Sequence, residues 1–156
     1  MSIFGGVQLA QGAGGMKYIG VDSNGIYVIK DYLVYINETK FNSNILDLLN
    51  EKRWDIHSPA SLHDSKIMNI NFNIDWKGDG YSIELNLIGP MNDRIFKLSY
   101  FGVTESSFSN ITRYGDLFIH ELHIDKGIYI HHLEFDDASL LIKASSVKFE
   151  EKIITR

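Results

Sequence analysis

Met68-Asn69-Ile70-Asn71-Phe72-Asn73-Ile74-Asp75-Trp76 alternates strictly between apolar and polar side chains, and the pattern resumes at Tyr81-Ser82-Ile83-Glu84-Leu85-Asn86-Leu87. Successive side chains of a strand point to opposite faces, so each stretch has one oily face and one wet face. That is the signature of antiparallel strands covering a core on one side. The face of Met68, Ile70, Phe72, Ile74 and Trp76 is therefore expected in the core.

Working outward, Lys77-Gly78-Asp79-Gly80 joins these two strands, and Gly89-Pro90-Met91-Asn92-Asp93 leads to a third, Arg94 to Phe101. Thr104 to Asn110 is Ser-rich and reads either as an irregular edge strand or as a loop. Asp116 to Ile124 and Ile128 to Phe135 form a hairpin around Asp125-Lys126-Gly127. Asp136-Asp137-Ala138 then turns into a last strand, Ser139 to Phe149.

Upstream, Asp22-Ser23-Asn24-Gly25 is a tight-turn signal, because Asn-Gly tolerates positive φ. It separates expected strands at Tyr18 to Val21, Ile26 to Ile29 and Leu33 to Ile36. One helix is expected next, since Phe41, Ile45, Leu48 and Leu49 share a helical face. Asn42 or Ser43 would cap it, and Lys52-Arg53 would complement its negative end. Trp54 to Leu62 reads as a loop ended by Ser58-Pro59. The expectation is a mainly-β, α+β fold: an antiparallel meander sheet with one short packed helix.

The chain has 156 residues, enough for one domain with a true core. Residues 16–156 read as that domain. Residues 1–15, rich in Gly, Gln and Ala, read as a flexible leader or a cloning remnant. Nine Phe and eight Tyr suit pleated surfaces. The chain contains no Cys, which excludes disulfides and thiolate metal sites and is compatible with a cytoplasmic location. The formal charge is -5, with no run of Lys or Arg, so nucleic acid is not the expected direct ligand. No apolar stretch reaches membrane-spanning length.

Candidate chemistry centres on His120, Glu121, His123, His131 and His132, all in one hairpin. A two-residue turn at Lys126-Gly127 pairs Glu121 with His132 and His123 with Ile130. A three-residue loop with a Gly bulge instead pairs His120 with His132 and Glu121 with His131. Imidazole and carboxylate are legitimate zinc ligands, so a metal-dependent enzyme or sensor is the alternative reading. His120 and His123 would nevertheless point to opposite faces of a strand. The same histidines would make the hairpin sensitive to pH. The His63-Asp64 dipeptide lacks supporting metal ligands, and Asp64 is expected to end its loop by accepting backbone N–H bonds. There is no Gly-x-Ser-x-Gly elbow and no Gly-rich loop opening a helix. Trp54 and Trp76 are candidate anchors for a partner, with the core as the better assignment for Trp76.

Leu62-His63-Asp64-Ser65-Lys66-Ile67 ahead of an alternating strand, His120-Glu121-Leu122, Gly127-Ile128-Tyr129-Ile130-His131, and Phe135-Asp136-Asp137 leading into Leu141-Ile142-Lys143-Ala144 together form a recognisable layout. It resembles small bacterial β-proteins, some of which serve as immunity proteins beside polymorphic or contact-dependent toxins. The resemblance implies a non-enzymatic protein that binds a toxin domain and occludes its active surface, with no cofactor. A basic toxin domain is the expected partner. Exposed turn carboxylates are the expected contacts: Asp75, Asp79, Asp93, Glu105, Asp136 and Asp137.

Overall fold

The computed structural model describes residues 16–74, 80–109 and 115–154. Read as one domain from sequence, the chain groups into two compact units that divide between Phe41 and Asn42. In the first, β1 (Gly20–Val21) and β2 (Tyr27–Val28) form the expected hairpin. Asp22 Oδ1 accepts the N–H groups of Asn24 and Ile26 at 2.8 and 2.9 Å, and Gly25 takes a φ of 79°.

Next comes α1 (Lys30–Glu38), where a strand was expected over Leu33 to Ile36. Helical winding brings Tyr32 and Tyr35 onto one side, their rings 6.1 Å apart, with Tyr18 stacked on Tyr35 at 4.0 Å. This aromatic stack overrides the strand preference of the Val34-Tyr35-Ile36 run.

The second unit holds β3 (Lys66–Ile74), β4 (Tyr81–Ile88), β5 (Arg94–Ser109), β6 (Leu117–Asp125), β7 (Ile128–Phe135) and β8 (Ser139–Ile153). They form one antiparallel sheet in the order β3-β4-β5-β8-β7-β6. The mainly-β expectation with one helix is met among the described residues, and β3-β4-β5 and β6-β7-β8 are each meanders. The step from β5 to β6 departs from a simple meander, because β6 goes to the far edge and β8 returns beside β5. The Ser-rich stretch left open as edge or loop continues β5 at the centre of the sheet, pairing through Ser109 with Ser139.

Four register shifts, at Ile67/Asn69, Tyr81/Ile83, Val103/Glu105 and Leu117/Ile119, bend the sheet. Its two outermost strands are stitched at their starts. Asp64 N–H donates to the Leu117 carbonyl at 2.8 Å, and Leu117 N–H donates to the Ser65 carbonyl at 2.9 Å. Lys66 Nζ adds an ion pair to Asp116 at 2.8 Å. Asp64 therefore serves this seam through its main chain at a φ of 67°, with its carboxylate 3.1 Å from the His63 ring; among the described residues that carboxylate accepts none of the expected backbone N–H bonds.

The inner face is continuous: Ile83, Leu85 and Leu87 of β4, Leu98 and Tyr100 of β5, Leu133 of β7 and Ile142 of β8 are all buried. The segment from Asn42 to Ser65 adds Ile45, Leu48, Leu49 and Leu62 to the buried set. The helix expected over this segment is replaced by two 3-10 turns, Ser43–Ile45 and Glu51–Arg53. Asn42 and Asn50 explain the break. Each takes an extended backbone, and its side chain accepts the N–H two residues on, at 3.0 and 3.1 Å, starting a new turn. One sequence expectation fails outright in β3. Met68, Phe72 and Ile74 are 49%, 51% and 80% exposed, not core, and Asp75, Trp76 and Asp79 lie outside the described residues.

Candidate functional site

The β6–β7 hairpin turns on two residues, Lys126 at φ 50° and Gly127 at φ 80°, a pair of left-handed conformations suited to a tight hairpin. This selects the first of the two registers: Glu121 pairs with His132 and His123 with Ile130. The five candidate ligands are thereby divided by the plane of the sheet. His120 and His131 share the inner face with Leu122 and Leu133; Glu121, His123 and His132 share the other face. Among the described residues no three His, Asp or Glu side chains gather as ligands of an ion.

On the inner face the imidazoles form a buried chain. Tyr100 Oη lies 2.6 Å from His131 Nδ1, and His131 Nε2 lies 3.2 Å from His120 Nδ1. Trp54 stacks on His120 at 4.4 Å and donates from its indole nitrogen to the His120 carbonyl at 3.2 Å. If Tyr100 donates into the chain, His131 is protonated on Nε2 and His120 on its own Nε2. Reversing every bond leaves His120 Nε2 a bare acceptor. Either way that nitrogen is buried without a hydrogen-bond partner. Burial, reinforced by the charge of Arg53, holds the His120 pKa down to about 3. Burial likewise holds His131 well below the usual imidazole range, helped by the neighbouring histidines. Burial also raises the Tyr100 phenol. The chain is thus a neutral core network.

On the opposite face His123 Nδ1 lies 3.1 Å from Glu121 Oε1, and the His123 and His132 rings stack at 6.2 Å. All three residues are buried. Burial lowers the His132 pKa, with Glu121 opposing the shift. Glu121 favours the charged form of His132, but burial prevails and holds that ring toward its neutral form.

Arg53 is the feature the sequence reading misplaced. Assigned there to a helix end, it is 0% exposed. Its guanidinium donates to Asp47 Oδ2 at 2.7 Å, Glu151 Oε2 at 3.1 Å and the Ala60 carbonyl at 2.9 Å. The rings of Phe149 and Phe96 flank it at 4.8 and 5.4 Å. Burial pushes Glu151 up, but hydrogen bonds from Arg53 and Arg94 outweigh it and hold the carboxylate below its usual range. A lone Arg after a polar run gives no signal of such burial; the partner Glu151 is too remote in sequence to suggest it.

The proposed contact carboxylates do not form one patch. Asp93 is held by Arg94 through two bonds of 2.9 Å, and Glu105 pairs with Lys143 at 2.8 Å. Asp93 precedes β5 and Asp136-Asp137 precede β8, so they lie at opposite ends of the 16-residue β5, whose contour is about 50 Å. Asp75 and Asp79 are outside the described residues. What the fold does assemble is an acidic rim at the seam. Asp136 N–H donates to the Asp116 carbonyl at 2.9 Å, and Asp64 bonds to Leu117. Asp64, Asp116, Asp136 and Asp137 thus stand on one end of the sheet, their side chains solvent-accessible. Sequence reasoning reached Asp136 and Asp137 as turn residues but not Asp64 and Asp116, because the long-range seam brings them in.

No protein-family model matches the chain, and a search of curated proteins returned no match. Among the described residues no helix is long and apolar enough to cross a membrane.

Proposed function

We propose that this chain is a non-enzymatic binding protein that covers a basic surface of another protein, and within that class an immunity protein that neutralises a bacterial toxin domain. The observation that carries the reading is the acidic rim of Asp64, Asp116, Asp136 and Asp137 around the seam between β3 and β6. Carboxylates fixed on a rigid sheet end raise the rate of encounter with a positively charged partner and select against acidic ones. Affinity would come from apolar contacts made after docking. The candidate acid–base groups support the same reading, because Tyr100, His131 and His120 are hydrogen-bonded in series inside the core, away from solvent.

Co-expression with basic toxin domains of nuclease type tests the proposal. Protection should follow tight binding, and changing Asp136 and Asp137 together to Asn should lower the association rate about tenfold at low salt. The loss should shrink as salt screens the rim. Survival no better than an empty vector across a broad panel would sink the immunity reading. Stoichiometric zinc or iron in purified protein, lost on His132→Ala, would favour the metal-dependent alternative.

A further inference from the structure

Strand β3 ends the ladder, pairing with β4 and with no other strand among the described residues. Natural proteins protect such edges with Lys, Pro or inward charges. From Asn69 to Ile74 this strand has none of them. Its apolar side chains are also uncovered, with Phe72 half exposed and Ile74 80% exposed. Phe72 rests edge-on against Phe108 at 5.5 Å, so its ring is braced on one side and open on the other.

We propose that β3 is a dimerisation strand, on which a second copy of this chain pairs antiparallel about a two-fold axis at Asn71. Three observations select a copy of the chain as the occupant. First, the pattern from Met68 to Ile74 reads the same in both directions, apolar and Asn in turn, with Asn71 at the centre. A two-fold contact must be complementary to its own reverse. This register sets Ile70 against Phe72 and Asn69 against Asn73 of the other copy, with Met68, at the bulge between Ile67 and Asn69, marking where the pairing ends. Second, each copy carries a formal charge of -5, so a self-contact must avoid ionised groups, and this stretch contains none. Third, the geometry is adequate. Side-chain amides offer both donor and acceptor, so the Asn rows match across the axis.

The product is one continuous sheet with six strands from each copy. The seven residues from Met68 to Ile74 that the axis relates span about 24 Å and cover on the order of 400 Å² per copy, in the range of weak, transient contacts. Reversible association in the micromolar range is the expected outcome.

The chain has no Cys, so a single introduced one reports cleanly. At the axis, Asn71→Cys places two thiols on directly opposite residues, whose Cβ atoms lie about 4.5–5.5 Å apart across a ladder, close enough to oxidise with a small shift. It should form a disulfide-linked dimer under mild oxidation far faster than Val34→Cys, an exposed control in the other unit. Ile74→Lys should weaken association of the reduced, otherwise native chain at least tenfold in sedimentation equilibrium. Its circular-dichroism melt should not move, which separates lost pairing from lost folding. A native chain that stays monomeric from low micromolar to near-millimolar concentration would overturn the proposal. So would Asn71→Cys linking no faster than the control.

Discussion

Strands β3 and β4 carry nearly the same alternating pattern, yet their apolar faces meet opposite fates. Ile83, Leu85 and Leu87 of β4 are 1%, 0% and 0% exposed, whereas Phe72 and Ile74 of β3 are 51% and 80% exposed. Phe72 pairs with Ile83 and Ile74 with Tyr81, so both strands present their apolar residues to the same side of the sheet. The difference is position. β4 is flanked by β3 and β5, and its inner residues lie within the buried set; among the described residues β3 pairs with β4 alone. Alternation states that a strand has two kinds of face. It does not state that anything covers the oily one.

The contrast can be broken most sharply by truncation. Leu85→Ala should cost about 2–5 kcal/mol in chemical denaturation, since it empties a filled site. Ile74→Ala should fall within about 0.5 kcal/mol at concentrations where the chain is monomeric. Equal losses would mean that the exposed face is covered after all. The same experiment separates stability from association, because only the β3 variant should alter self-pairing.

A second comparison sets the buried imidazoles against an ordinary solvated histidine, and it gives stability a pH dependence. His120 and His131 stay neutral in the fold but take protons near pH 6.5 once unfolded. The unfolded chain therefore binds more protons below that pH. Stability is full above pH 6.5 and is lost as the pH falls toward the depressed folded values, by about 1.4 kcal/mol per pH unit for each histidine. Glu134 opposes this, because burial raises its carboxyl to about 7. Its share is present at low pH and lost as the pH rises between the unfolded carboxylate value and 7. Two imidazoles outweigh one carboxyl, so stability should rise from pH 5 to 6.5. His131→Gln keeps hydrogen-bonding capacity but does not titrate, and should flatten that slope by about one histidine's worth. An unchanged slope would place the titrating groups elsewhere. The pH sensitivity expected of the hairpin thus becomes acid lability of its core.

How much of this was legible in the sequence follows from the range of each interaction. Strand positions, the turn at Asp22 to Gly25 and the placement of His120 and His123 on opposite faces are local, and period-two reasoning reaches them. The helix was misplaced because Asn42 and Asn50 start new turns within a helical apolar spacing, while Tyr18 supports helical winding in a run that favours strand. Arg53, the seam at Asp64 and Leu117, and the exposure of Phe72 depend on partners far along the chain. Glu151, Leu117 and the lack, among the described residues, of a second partner strand for β3 leave no trace near the residues they affect. The candidate site was legible by the same measure. Asp136 and Asp137 could be named as exposed turn residues, but only the seam shows that Asp116 and Asp64 join them and that Asp93 does not.

That seam closes the comparison between the two edges of the sheet, one end stitched and the rest of β3 open. Its two main-chain bonds are accompanied by the Lys66–Asp116 pair, whose side chains are 57% and 40% exposed. Exposed pairs are screened and lose side-chain entropy on forming. Lys66→Ala, Asp116→Ala and the double variant should therefore give a coupling of about 0.2–1 kcal/mol, fading in high salt. A coupling of several kcal/mol would make the ion pair, and not the backbone bridge, the element that holds the sheet ends together. Loss of Lys66 also removes the cation beside the acidic rim. If the rim recruits a basic partner, Lys66→Ala should bind it faster even as the fold loses a little stability, and that opposition of signs distinguishes a docking surface from a purely structural seam.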